Sequence, residues 1–164
     1  MTHLPRPTVR IVVCGNADHG DDGAALAAAA TLLPTLPSEM GTRIEIRRRQ
    51  ELHVEDLADL RADERCLILD AVDGVPPGEV VVVALSALFD DPGFTPRSSH
   101  ELPLERTLEI AAIIREQPIE GSFVGIGGHR FGYAAPLSRP VRTGIPAFRQ
   151  AIALELGRLV VSGT

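Results

Sequence analysis

The sequence predicts an α/β protein: a three-layer sandwich in which a largely parallel, twisted five-stranded sheet carries helices on both faces. Three observations support this. Short β-branched apolar runs recur along the chain, helical segments alternate with them, and the 164 residues suffice for the core of one domain.

The elements follow in order. Residues 9–15 (VRIVVCG) are a β-branched run ending in glycine, which reads as a buried strand. Residues 23–33 are rich in alanine and leucine and favour helix; Asp21 and Asp22 ahead of them suit an N-cap and first turn, and Pro34 and Pro37 stop the helix. Residues 42–50 alternate apolar with polar, as expected of a half-exposed or edge strand. A short amphipathic helix is predicted over 53–62, and a third strand over 65–72, followed by a Gly- and Pro-rich turn at 73–79. The valine run 80–85 is the fourth strand and 89–100 a polar, proline-bearing loop. Residues 103–116 have apolar positions at helical spacing, with Pro103 near the first turn. The fifth strand spans 121–129, 131–141 is irregular, and 145–161 is an amphipathic C-terminal helix.

Composition narrows the function. A net charge of −6 argues against nucleic acid or an anionic membrane surface as partner. All 16 basic residues are arginine, so chemistry that needs a lysine is excluded. Cys14 and Cys66 lie in apolar runs without CxxC spacing, as buried thiols of a reducing compartment do. The N-terminus has no apolar h-region and no stretch reaches a membrane-spanning length. The expectation is a cytoplasmic, monomeric single domain over 1–164, with residues 1–8 a flexible tail.

In open α/β sheets, ligands bind outside the carboxyl ends of the strands. Three polar clusters are expected on that edge: Asn16 to Asp22, Asp70 with Asp73, and His100. Asp70 is the strongest single signal, because it ends the apolar run CLIL, where a carboxylate is costly to bury without a partner. Two carboxylates and an imidazole make an O,O,N donor set suited to zinc, nickel or copper, with coordination positions left open. Plainer roles are available: Asp21 as a helix N-terminal acid, His100 as a solvated loop residue, Asp70 as an acceptor at a strand–turn junction. We favour function for Asp70 and the cap for Asp21. His3, His19, His53 and His129 have no individual claim. A phospho-accepting receiver domain also places acids after its first and third strands, but it normally needs a lysine. A dinucleotide fold lacks its GxGxxG, and a serine hydrolase its GxSxG.

The order GNADHGDDG, LILDAVDGVPPG, SSHELPL and FVGIGGHRFGYAAPLSRPV resembles the hydrogenase maturation endopeptidases, cytoplasmic proteases that process the large subunit of [NiFe] hydrogenases. The family opening matches Gly15, Asn16, Asp21, Asp22 and Gly23; its central strand ending matches Asp70, Ala71 and Val72, then Pro77 and Gly78; its loop before a helix matches Ser98, Ser99 and His100; its late pattern matches Gly125, Ile126, Gly132, Leu137, Ser138 and Val141. The resemblance runs from about residue 9 to the C-terminal helix. It implies that Asp22, Asp70 and His100 are the catalytic and metal-contacting positions, that the metal is nickel brought by the substrate (another divalent ion could occupy the same site), and that the partner is the large-subunit precursor, cut to remove a C-terminal extension. A non-cleaving nickel checkpoint protein is the alternative, and Asn16 and Asp73 are expected to support the loops. Departures are the segment RRRQELHVEDLADL, where much of the family carries a glycine-threonine loop; His19, which is not a usual family position and reads as a fourth ligand or a solvated loop residue; and Asp22 where some relatives carry glutamate.

Overall fold

The computed structural model describes residues 6–99 and 101–162. Its strands are β1 (Val9–Cys14), β2 (Ile44–Arg49), β3 (Arg65–Asp73), β4 (Val80–Ala84), β5 (Thr95–Pro96) and β6 (Gly121–Gly127). The α-helices are α1 (Ala24–Leu32), α2 (Ser38–Gly41), α3 (Glu55–Ala58), α4 (Leu104–Arg115) and α5 (Arg139–Ser162). The sheet order is β2-β1-β3-β6-β4, with β1, β2, β3 and β6 parallel and β4 antiparallel along one edge. The five expected strands are joined by a sixth, the two-residue β5, which pairs antiparallel with the end of β3.

Alternation along the central strands divides the core. Val9, Ile11, Val13, Leu67 and Leu69 face α1 and α5, where they meet Ala25, Ala28, Phe148, Ile152 and Leu156. Val12, Cys14, Cys66, Ile68 and Val72 face the other way, towards Leu57 of α3 and Leu104, Leu108 and Ala111 of α4. Strands covered on both faces have no polar face, which is why β1 and β3 read as continuous apolar runs. Among the described residues no helix is long and apolar enough to cross a membrane.

Three boundaries differ from the sequence pattern. Pro7 and Thr8 are already tied down, Pro7 by Arg61 and Thr8 by backbone bonds to Arg43 and Arg65, so of the expected flexible tail residues 7–8 are anchored and residues 1–5 lie outside the described residues. The α3 helix is a single turn ending at Ala58, and the Asp59 that follows pairs its carboxylate with Arg10 and Arg47. The C-terminal helix starts six residues earlier than its apolar pattern, because Val141 is buried in the α1–α5 core and Pro140 fits a helix start.

Gly15 follows β1 with φ +145°, and a Cβ there would lie 2.0 Å from the backbone oxygen of Asp22. That approach folds residues 16–22 back over the strand end. Gly15→Ala is expected to lower unfolding free energy by at least about 2 kcal/mol in urea titration. A variant with wild-type stability contradicts the close packing of this turn.

Candidate functional site

The chain leaves β1 towards β2 on one side, while β3 lies on the other, so the carboxyl ends of β1 and β3 form the topological switch point where such sheets bind ligands. Two predicted residues meet there. Residues 15–23 form the first wall. The Asn16 side chain accepts the Asp18 N–H at 2.9 Å, an Asx turn, and the backbone N–H of Asn16 bonds the Asp22 carbonyl at 3.1 Å. A 3-10 turn (Gly20–Gly23) then leads into α1.

Asp21 does not cap that turn or α1. It is fully buried and accepts four hydrogen bonds from residues 129–138: the N–H groups of His129 and Arg130 on Oδ2, the Ser138 N–H on Oδ1, and the Ser138 hydroxyl on Oδ2, all at 2.7–2.9 Å. Burial pushes this carboxyl upward, but the bonds from Arg130, Ser138 and His129 outweigh it and hold it below its ordinary value. The expectation of a surface cap is therefore corrected: Asp21 staples the β6–α5 connection to the first loop.

Asp22 is also buried, and it lines a cleft of about 520 Å³ with Asn16 and His19. The opposite wall is Arg49, Gln50, Glu51 and His53, with Arg97 and Phe131 completing the lining. Asp70 has 0% of its surface exposed. Its Oδ2 accepts the Ser98 N–H at 2.8 Å, so the plain role at a strand–turn junction is present. Its Oδ1 is buried and has no hydrogen-bond partner among the described residues.

The third predicted ligand, His100, lies outside the described residues. Among those described, no group of three His, Cys, Asp or Glu side chains is placed to hold a metal ion.

Residues 52–155 match the family model HycI, described as hydrogenase maturation protease. The chain belongs to that family. No curated protein is significantly similar in sequence. Among solved structures, the [NiFe] hydrogenase maturation protease HybD from Thermococcus kodakarensis is 27% identical, with a TM-score of 0.63 over 90% of this chain and 98% of that one. The hydrogenase maturating endopeptidase HybD from E. coli shares the fold at a TM-score of 0.70 and 21% identity, over 92% of each chain. A hydrogenase 2 maturation peptidase from Thaumarchaeota archaeon SCGC_AB-539-E09 shares it at 0.60 and 24%, over 91% and 97%.

In this protease, burial drives the Asp70 carboxyl up to about 7. Hydrogen bonds from the Ser98 side chain and backbone act in the opposite direction, and the nearby charge of Asp22 adds to the rise. Two carboxylates thus repel each other in a poorly solvated place, one of them with an orphan oxygen. Cys14, next to Asp70 across the strands, is kept as a neutral thiol by burial first and the Asp70 charge second. Burial likewise lifts Cys66, to about 12, and both cysteines are free.

Asp73 stands on the rim and binds Arg97 at 3.0 Å. His19 lines the cleft, its ring edge-on to Tyr133 at 5.8 Å between centroids. The backbone N–H of His129 is bound by Asp21. The departure at RRRQELH is structural as well: it supplies the far wall, held by Asp56, which accepts the Arg49 Nε–H at 2.7 Å and the His53 N–H at 3.0 Å. Sequence reasoning missed Arg97 and the roles of Asp21 and Ser98. The signal for the first was its place directly before SSH; for Asp21 there was none, because its partners lie more than a hundred residues away.

Proposed function

We propose that this protease removes a C-terminal extension from the nickel-loaded large-subunit precursor of a [NiFe] hydrogenase, with Asp22, Asp70 and His100 contacting the nickel carried by the substrate. The single observation that supports this most is the Asp70 carboxylate: buried, repelled by Asp22, with an oxygen that has no donor among the described residues. A divalent cation relieves all three costs at once, and hard carboxylate oxygens beside an imidazole suit nickel as well as zinc. Nickel bound there supplies Lewis-acid polarisation and anchors the loaded substrate; an unloaded precursor lacks that binding energy. Ser98 orients Asp70, and the loop held by Asn16 and Asp21 orients Asp22. The reading places the reaction in the cytoplasm, in keeping with two free, buried thiols.

The test is incubation with nickel-loaded and nickel-free precursor, followed by intact-mass analysis. Loss of the extension only from the loaded form is expected. An unchanged mass in a complex that co-purifies makes the protein a checkpoint rather than a protease for this precursor. Asp22→Ala and His100→Ala should reduce processing by at least about 100-fold while circular dichroism stays native. Wild-type rates in both remove them from the site.

A further inference from the structure

We infer that Arg97 donates a hydrogen bond to the carbonyl oxygen of the scissile peptide and holds the negative charge that develops there. The inference rests on the cleavage reading proposed above.

Hydrolysis places charge on a carbonyl oxygen, and with no lysine in the chain a cationic donor to it must be an arginine or a histidine. Two arginines line the cleft. Arg49 is engaged by Asp56 through Nε and by the Arg48 carbonyl through its Nη1. Arg97 is different. Of the five N–H donors of its guanidinium, one bonds Asp73, and Nε is buried with no acceptor among the described residues. The buried Nε does not itself reach the cleft, but apart from the Nη1 bond to Asp73 the Nη donors have no hydrogen bond among the described residues, and the side chain lines the cleft and is 27% exposed, so they can meet a substrate oxygen there. The group is also held in place: its central carbon lies 4.0 Å from the centroid of the Phe131 ring, and Asp73 fixes one edge.

The backbone sets its position relative to the carboxylates. The Arg97 N–H bonds the Ala71 carbonyl at 2.9 Å, and the next N–H, of Ser98, bonds Asp70. The strand that places Asp70 therefore places Arg97. The pairing is complementary: Asp70 brings an oxygen with no donor among the described residues, suited to a cation, and Arg97 brings Nη donors with no other acceptor among them, suited to an oxygen.

In the reaction, a water oxygen bonds to the carbonyl carbon and the carbonyl electron pair moves to its oxygen, where Arg97 donates. The C–N bond then breaks with its pair on nitrogen. At neutral pH both water protons end on the leaving amine as ammonium, and the new terminus is a carboxylate. Arg97 itself gives up no proton.

The experiment is steady-state processing of the nickel-loaded precursor by wild type, Arg97→Met and Arg97→Lys. The methionine variant should fold like wild type, since Arg97 and Asp73 are both partly exposed. Its kcat should fall about 100-fold while KM changes by less than about threefold; lysine should recover only part of the loss, and free guanidinium should restore part of the activity of Arg97→Ala. Wild-type kcat in Arg97→Met, or an effect confined to KM, overturns the assignment while the cleavage reading stands. No processing by the wild-type protein overturns the cleavage reading, and the assignment with it.

Discussion

Asp70→Asn should be more stable than the wild-type protein above pH 7 and unable to process the precursor. Burial first, and the Asp22 charge in addition, raise this carboxyl from 3.8 to about 7 against the Ser98 hydrogen bonds. The sign follows from proton binding. Below pH 4 both folded and unfolded states hold the proton; between 4 and 7 only the folded state does, so stability falls as pH rises; above 7 the loss is complete. The rise corresponds to about 4 kcal/mol in all. Asparagine removes the charge but puts an amide N–H or oxygen at the orphan position, so a net gain of about 2 kcal/mol at pH 8 is expected, and little at pH 4. Urea titrations of both proteins at the two pH values measure it. A variant less stable than wild type at pH 8, or equal pH slopes, contradicts the electrostatic account. A site that costs stability in the free protein is what a carboxylate kept ready for a cation should show.

Asp21→Ala should have the opposite effect, a loss of about 3–5 kcal/mol. Four donors of residues 129–138 lose their shared acceptor, and three of them are backbone N–H groups that have no side-chain rotamer with which to find another. Here the carboxyl is held below its ordinary value, so its contribution is complete above about pH 4 and disappears as pH falls through the lower folded value. Hydrogen exchange of the 129–138 backbone should accelerate in the variant more than exchange in β1 and β3. Because Phe131 of that segment lines the cleft beneath Arg97, processing should fall as well. Equal stability and unchanged exchange would mean that the staple is not what holds this connection.

Apart from β5, the strands were legible because each is marked locally. Gly15 follows β1 directly, β3 and β6 end in aspartate and glycine, and a buried strand between two helical layers has no reason to alternate in polarity. What remained illegible was set by distant partners. The length of α3 depends on Asp59 meeting Arg10, nearly fifty residues before it in the chain. The early start of α5 depends on burying Val141 against α1. The two-residue β5 has no pattern of its own; it exists because the end of β3 offers free backbone groups.

The adjacent acids 21 and 22 show the division most clearly. By itself the sequence determined the fold class, the edge of the sheet that would carry polar chemistry, and the motifs that resemble hydrogenase maturation proteases, because these depend on local runs and on the order of elements. Local pattern alone treats two neighbouring aspartates before an alanine-rich helix as equivalent; the family resemblance assigned Asp22 to the site and left Asp21 as a cap. Only the tertiary structure showed what Asp21 does. Asp21 turns to the donors of the 129–138 connection and becomes structural, while Asp22 turns to the cleft and to Asp70. Successive residues of a turn point in different directions, and which direction meets hydrogen-bond donors and which meets a second carboxylate is decided by what the rest of the chain brings alongside.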